Sequence, residues 1–248
     1  MLQAIRSEQI KLTTLRSTWW SIAAAVSISL GVAILIAANV SGSHDDNDTV
    51  DILAVLFLAA SLVALIAVMV LGVVVATGEY RFGQIRMTLA ATPHRWQVMV
   101  AKALVTGAVA FVVGTVTAWL CVFISKPLLP AGWDLDLAAD GALRVIWGLP
   151  LFFAAAAVLA LSLGALLRNS PAAITILALL SLAVEKTLLG FDKTRTFAQY
   201  LPFNAGARIT QPADSDLVLS PWGGFGLFCV YAVVLFVLAV IVVENRDA

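Results

Sequence analysis

Charge is scarce in this chain. Asp, Glu, Lys and Arg together make up 12% of 248 residues, about half the share of an ordinary soluble domain. The 15 basic and 15 acidic side chains cancel, so no bulk positive field is available to hold nucleic acid. Cysteine is nearly absent as well. Cys121 and Cys229 each lie within an apolar run, which excludes a disulfide framework and a cysteine metal site and leaves two ordinary buried or lipid-facing thiols. Catalytic signatures are missing too: there is no GxxxxGKS/T to cradle a nucleotide phosphate, and no HExxH, GxSxG or CxxC. The chain by itself is therefore expected to be no enzyme, and to hold neither a metal nor a cofactor.

Apolar length is abundant by contrast, with 61% of the residues hydrophobic. A membrane-crossing helix needs about 20 apolar residues, and six such runs are present: 19–40, 52–77, 98–124, 145–167, 172–189 and 225–243. The expected fold is all-α and polytopic, a single transmembrane domain of six spans with no room for a soluble catalytic domain. The turn Arg168-Asn169-Ser170-Pro171 separates spans four and five; proline in the first turn of a helix costs no backbone hydrogen bond, so these two spans should be antiparallel neighbours.

Charge placement orients the chain, because Lys and Arg accumulate on the cytoplasmic side. With the N-terminus inside, Arg6, Lys11, Arg16, Arg81, Arg86, Arg95, Lys102, Arg168 and Arg246 fall on the inner side. The first outer loop carries Asp45, Asp46, Asp48 and Asp51 without a single Lys or Arg. Both termini are thus expected in the cytoplasm of a cell whose plasma membrane the chain crosses. The two histidines, His44 outside and His94 inside, cannot meet at one site across the bilayer, which argues against an intramembrane metalloenzyme.

The segment 1–18 combines Ile5, Leu12 and Leu15 with Arg6, Lys11 and Arg16 and reads as an interfacial helix anchored by Trp19 and Trp20. Its amphipathicity is imperfect, since Glu8 and Arg16 fall among the apolar positions. The adjoining apolar run is too long for the core of a cleaved signal. Small residues recur at four-residue spacing, as in Ala103 and Gly107, Ala110, Gly114 and Ala118, and Ala156, Ala160 and Gly164; such rows let helix backbones approach closely in lipid.

Two polar features stand out. Between spans two and three, residues 78–96 mix Phe82, Ile85, Met87 and Leu89 with charged side chains and are helix-compatible up to Pro93. A mere connection has no need of that mixture, whereas a short helix lying against another protein does. Late in span five stand Glu185 and Lys186. Ionisable groups at membrane depth are expensive and often functional, so these two either snorkel to the outer interface or serve an outer gate. The loop 190–221, with Phe191, Phe197, Tyr200, Leu201 and Phe203, is too apolar to float and should fold onto the outer rim.

The inner-loop string Glu79-Tyr80-Arg81-x-Gly83-x-Ile85-Arg86-x-Thr88-Leu89, followed by Pro93-x-Arg95 and a later Lys102, resembles the ABC-2 type transporter permeases of bacteria. So do the start Ser7-Glu8, Lys11-Leu12 and Arg16-Ser17, the Arg168-Asn169-Ser170 turn, and Tyr200-Leu201-Pro202 before the last span. The resemblance extends over essentially the whole chain. It implies the membrane half of an ATP-driven exporter, with ATP and magnesium bound by a separate ABC ATP-binding protein. A second permease copy, identical or related, would complete the pathway. The segment 79–95 would be the cytoplasmic coupling helix that docks on the ATPase, with Glu79, Arg81, Arg86 and Arg95 as its coupling residues. The transported solute is not implied. Two other classes fit the hydropathy: a secondary transporter, which should show a midplane acid and an internal repeat, and a non-transporting membrane scaffold or immunity component.

Overall fold

The computed structural model describes residues 2–14, 16–39, 49–81, 95–129, 137–212 and 218–245. They are helical almost throughout, and no strand occurs among them. The long apolar runs dictate this, since a chain in hydrocarbon must satisfy its own N–H and C=O groups and a helix does so within one segment.

The order begins with α1 (Leu2–Thr14), α2 (Arg16–Asn39), α3 (Thr49–Arg81), α4 (Arg95–Ser125) and α5 (Ala142–Leu167). Next, α6 (Ser170–Ala178) passes through a π-helical turn (Leu179–Val184) into α7 (Glu185–Gly190). The short helices α8 (Asp192–Ala198) and α9 (Pro202–Ala207) and a 3-10 turn (Arg208–Thr210) lead to α10 (Pro221–Asn245). Among the described residues, five stretches are long and apolar enough to cross a membrane: Ile22–Asn39, Trp96–Leu128, Ala142–Leu167, Ser170–Gly190 and Pro221–Asn245. The chain is thus a polytopic helical membrane protein. Helix α3 has 33 residues and carries the shorter apolar stretch Leu62–Gly78.

Helix α5 is the most buried of the five candidate spans and packs against α3, α4 and α10. Its neighbours approach it through small residues. A methyl group added to Gly114 of α4 would stand 2.7 Å from the Cα of Pro150, and one added to Gly164 would stand 3.1 Å from the Cα of Val73. Two of the small-residue rows therefore lie in real seams. A third contact comes from Gly72 of α3, where a methyl group would collide with the carbonyl of Ala157; Gly72 and Ala76 have the same four-residue spacing. In such seams van der Waals packing, not hydrophobicity, holds the helices.

The turn between α5 and α6 is built as its residues suggest. Arg168 takes a left-handed conformation (φ 52°) and its N–H donates to Gly164 O at 2.9 Å, closing α5. Asn169 caps α6 by accepting from the Ala172 N–H at 3.1 Å. Ser170 then meets Thr77 of α3, their hydroxyl oxygens 2.6 Å apart. Near this end Ala76, Met99, Leu161, Ala165, Ala239 and Val243 form one apolar cluster. The end of α3, the start of α4, the α5–α6 turn and the end of α10 are thus gathered together.

The opposite end is closed by the segment after α7. Phe203, Ala205 and Ile209 are buried, and Phe203 and Phe152 both pack on Phe228 of α10. Not every aromatic of that segment takes part: Phe191 and Phe197 are exposed. Asp45, Asp46 and Asp48, expected in the first outer loop, lie outside the described residues, as does 82–94.

Candidate functional site

At the end where α3 stops and α4 starts, three helices meet around one ion pair. Glu8 of α1 is 3% exposed and Lys102 of α4 is 4% exposed. The Lys102 Nζ donates to Glu8 Oε2 at 3.0 Å, and more weakly to the Val75 carbonyl of α3 at 3.4 Å. Lys11, one turn along α1, donates to the other carboxylate oxygen at 2.8 Å. The expected interfacial helix is therefore also a docked one, because its Glu8 is turned into the protein. This explains the flawed amphipathic pattern: a carboxylate among the apolar positions of α1 and an ammonium inside the apolar run of α4 are each costly alone, and each supplies what the other needs.

Around this node stand the ends of the expected coupling segment. Glu79 and Arg81 belong to the last turn of α3, which ends at Arg81, and Arg95 opens α4. Arg86 lies outside the described residues. Lys102 sits two turns into α4 from Arg95, so α4 joins the coupling segment to the Glu8 node within about 11 Å along its axis.

The opposite end holds the second polar node, and of the two readings left open for Glu185 and Lys186, snorkelling to the interface does not hold for Glu185. Glu185 is 0% exposed. Its two carboxylate oxygens accept the backbone N–H of Phe203 at 3.1 Å and of Asn204 at 2.6 Å. Asn204 returns the contact, its Nδ2 donating to the Glu185 carbonyl at 3.1 Å and to the Ala198 carbonyl at 3.0 Å. Lys186, half-buried, donates to Asn204 Oδ1 at 2.9 Å instead of reaching for solvent. The physical cause lies immediately upstream. A π turn takes an extra residue into the helix and rotates the residues downstream of it by about 100°, and the turn 179–184 precedes Glu185 directly. The segment after α8 then folds over the carboxylate and presents amide donors to it.

Sequence reasoning passed over two arginines at this end. Arg208 is only 2% exposed, and Arg144 of α5 donates to the Ile209 carbonyl at 2.7 Å. Burial, and secondarily the positive charge of Arg144, pull the Arg208 pKa down from its ordinary value. The signal available was an arginine in the first turn of an apolar helix and another amid the otherwise uncharged string Pro202–Thr210.

No group of three or more His, Cys, Asp or Glu side chains that could hold a metal occurs among the described residues. Comparison with models of known protein families finds none that matches the chain, and comparison with the curated proteins finds no match.

Proposed function

We propose that the chain is the membrane-spanning permease subunit of an ATP-driven exporter of the ABC-2 type. In this reading it crosses the plasma membrane six times, α3 serving as the second span, with both termini cytoplasmic. A second permease copy completes the translocation pathway, and a separate ABC ATP-binding protein binds ATP and magnesium and hydrolyses ATP. Residues 79–95 dock on that ATPase, and Glu79, Arg81, Arg86 and Arg95 carry the contact or shape it.

The observation that supports this reading is the convergence of α1, α3 and α4 on the Glu8–Lys102 pair, beside the two helix ends from which segment 79–95 departs and returns. A docking event on that segment would act on α3 and α4 directly and on α1 through the ion pair. The resemblance of the inner-loop string to the permease family supplies the identity of the partner.

The reading is tested by co-expressing the chain with a candidate ABC ATP-binding protein, sought first among P-loop proteins encoded near its gene. Arg86→Glu should weaken ATPase retention or uncouple hydrolysis from export while membrane insertion stays intact, because reversed charge repels a partner built to be complementary. Wild-type retention, hydrolysis and export in both Arg86→Glu and Glu79→Ala would reduce the segment to a solvated connection.

A further inference from the structure

The geometry points to an oxyanion site formed by Arg208 and Arg144 at the end of the bundle opposite Glu8, taking the phosphate group of a phospholipid or of a soluble phosphate. The site stands apart from the transporter reading and uses none of the coupling residues.

Among the described residues, no carboxylate pairs with Arg208. Its Nε donates to the Leu219 carbonyl at 3.0 Å, and one terminal nitrogen donates to Gln211 Oε1 at 3.2 Å and to the Pro212 carbonyl at 3.1 Å. The other terminal nitrogen, Nη2, is buried and has no hydrogen-bond partner among those residues. The groups that accept from this cation are all neutral. Its charged neighbour is Arg144, a like charge, which is itself held by the carbonyl of the next residue, Ile209. The carboxylate of Glu185, at the same end, is committed to the amides of Phe203 and Asn204.

A buried guanidinium beside a second cation is unfavourable unless an anion balances it. Guanidinium forks match phosphate oxygens in shape as well as charge. The backbone also holds Arg208 in a fixed position. A methyl group at Gly224 would stand 2.8 Å from the Arg208 Cβ, and one at Gly148 would stand 3.0 Å from the Ile209 carbonyl oxygen, so α10 and α5 grip the 208–210 turn from two sides. Arg144 lies in the first turn of a candidate span, Ala142–Leu167, at the depth where phospholipid headgroups lie in a bilayer.

The test uses the full chain, purified in a sugar-based detergent that carries no phosphate. Its thermal unfolding is followed while a short-chain phosphatidylglycerol, the matching diacylglycerol or inorganic phosphate is added. The phosphate-bearing lipid should raise the midpoint saturably, by roughly 5 °C at a hundredfold excess over its dissociation constant, and the diacylglycerol should not. Protection by the phospholipid alone assigns a lipid headgroup; protection by inorganic phosphate as well assigns a free phosphate group. Arg208→Gln should abolish the shift. Should that variant fail to fold, Arg144→Lys, which keeps the charge but loses the fork, should weaken the response at least tenfold. The proposal is overturned if neither phosphate compound shifts the wild-type midpoint. It is overturned equally if Asp214→Asn with Asp216→Asn removes as much stability as Arg208→Gln, since the chain's own acids would then be the counter-charge.

Discussion

Glu8 and Lys102, separated by 94 positions in the sequence, form a 3.0 Å ion pair whose side chains are 4% and 5% exposed. The pair ties the N-terminal helix to the start of α4. Breaking a buried pair from one side leaves an uncompensated charge, whereas removing both partners does not. Lys102→Met should therefore destabilise the protein by about 3 kcal/mol. Lys11→Met should cost less than about 1 kcal/mol, because the Lys11 side chain is 43% exposed. The double variant Glu8→Gln with Lys102→Met should be more stable than Lys102→Met alone. Thermal unfolding of the four proteins in one detergent checks the order; equal losses for the two lysines would mean that the buried contact contributes nothing special.

At the opposite end, Asn204 makes three side-chain hydrogen bonds, to the Glu185 and Ala198 carbonyls and from Lys186. Asn204→Ala strands these buried groups, and a loss of about 2–3 kcal/mol is expected. Glu185→Gln retains one acceptor oxygen but turns an amide NH2 toward a backbone N–H, for a loss of about 1–3 kcal/mol. Both changes should loosen the 192–210 segment before the bundle itself, so limited trypsin digestion should cut faster after Lys193 and Arg195. Unchanged cleavage rates would show that the node does not hold the segment down.

The small-residue seams make a prediction with a built-in control. Gly72→Val places side-chain atoms against the backbone of Ala157 and Leu161, which cannot yield as a flexible side chain would, so assembly or stability should fall sharply. Gly31 has nothing within 4 Å of an added methyl group, and Gly31→Ala should be neutral or stabilising by up to about 1 kcal/mol through helix propensity. Size-exclusion profiles and melting points of the two variants decide between a true seam and a compositional accident.

Much of this architecture is legible in the sequence because the relevant physics is local. The apolar runs reappear as helices within a few residues of their bounds, the fifth interrupted by the π turn, and Asn169 and Pro171 mark where α6 begins. The rows containing Gly114 and Gly164 fall in contacts for the same reason, since spacing on a helix fixes the face. The polar nodes depend instead on residues brought together across long separations. Glu8 reads as a blemish on an amphipathic helix until α4 supplies Lys102. Glu185 looks free to snorkel because the π turn 179–184 leaves no signature in an apolar string, and nothing local announces that the amides at 203 and 204 will cover it. Arg208 is hidden by the same long-range folding.

Sidedness is checked with single cysteines at Asn169 and Asp192, both exposed, in a chain with Cys121 and Cys229 replaced. An impermeant maleimide added to intact cells should label the Asp192 position and reach the Asn169 position only after the membrane is opened. Labelling of the Asn169 position alone from outside would reverse the orientation and remove the coupling segment from the cytoplasm, and labelling of both would show that the stretch Ser170–Gly190 does not cross the membrane.

The central claim is that this chain moves solute only in company with an ATPase. Native mass measurement of the active complex, extracted from membranes where the chain is co-expressed with a candidate ABC ATP-binding protein, tests this most directly. Two six-span permease subunits carrying two ATP-binding subunits, an assembly lost in Arg86→Glu, is the expected result. A stable, transport-active assembly of this chain with no ATP-binding subunit would contradict the account and favour a secondary transporter.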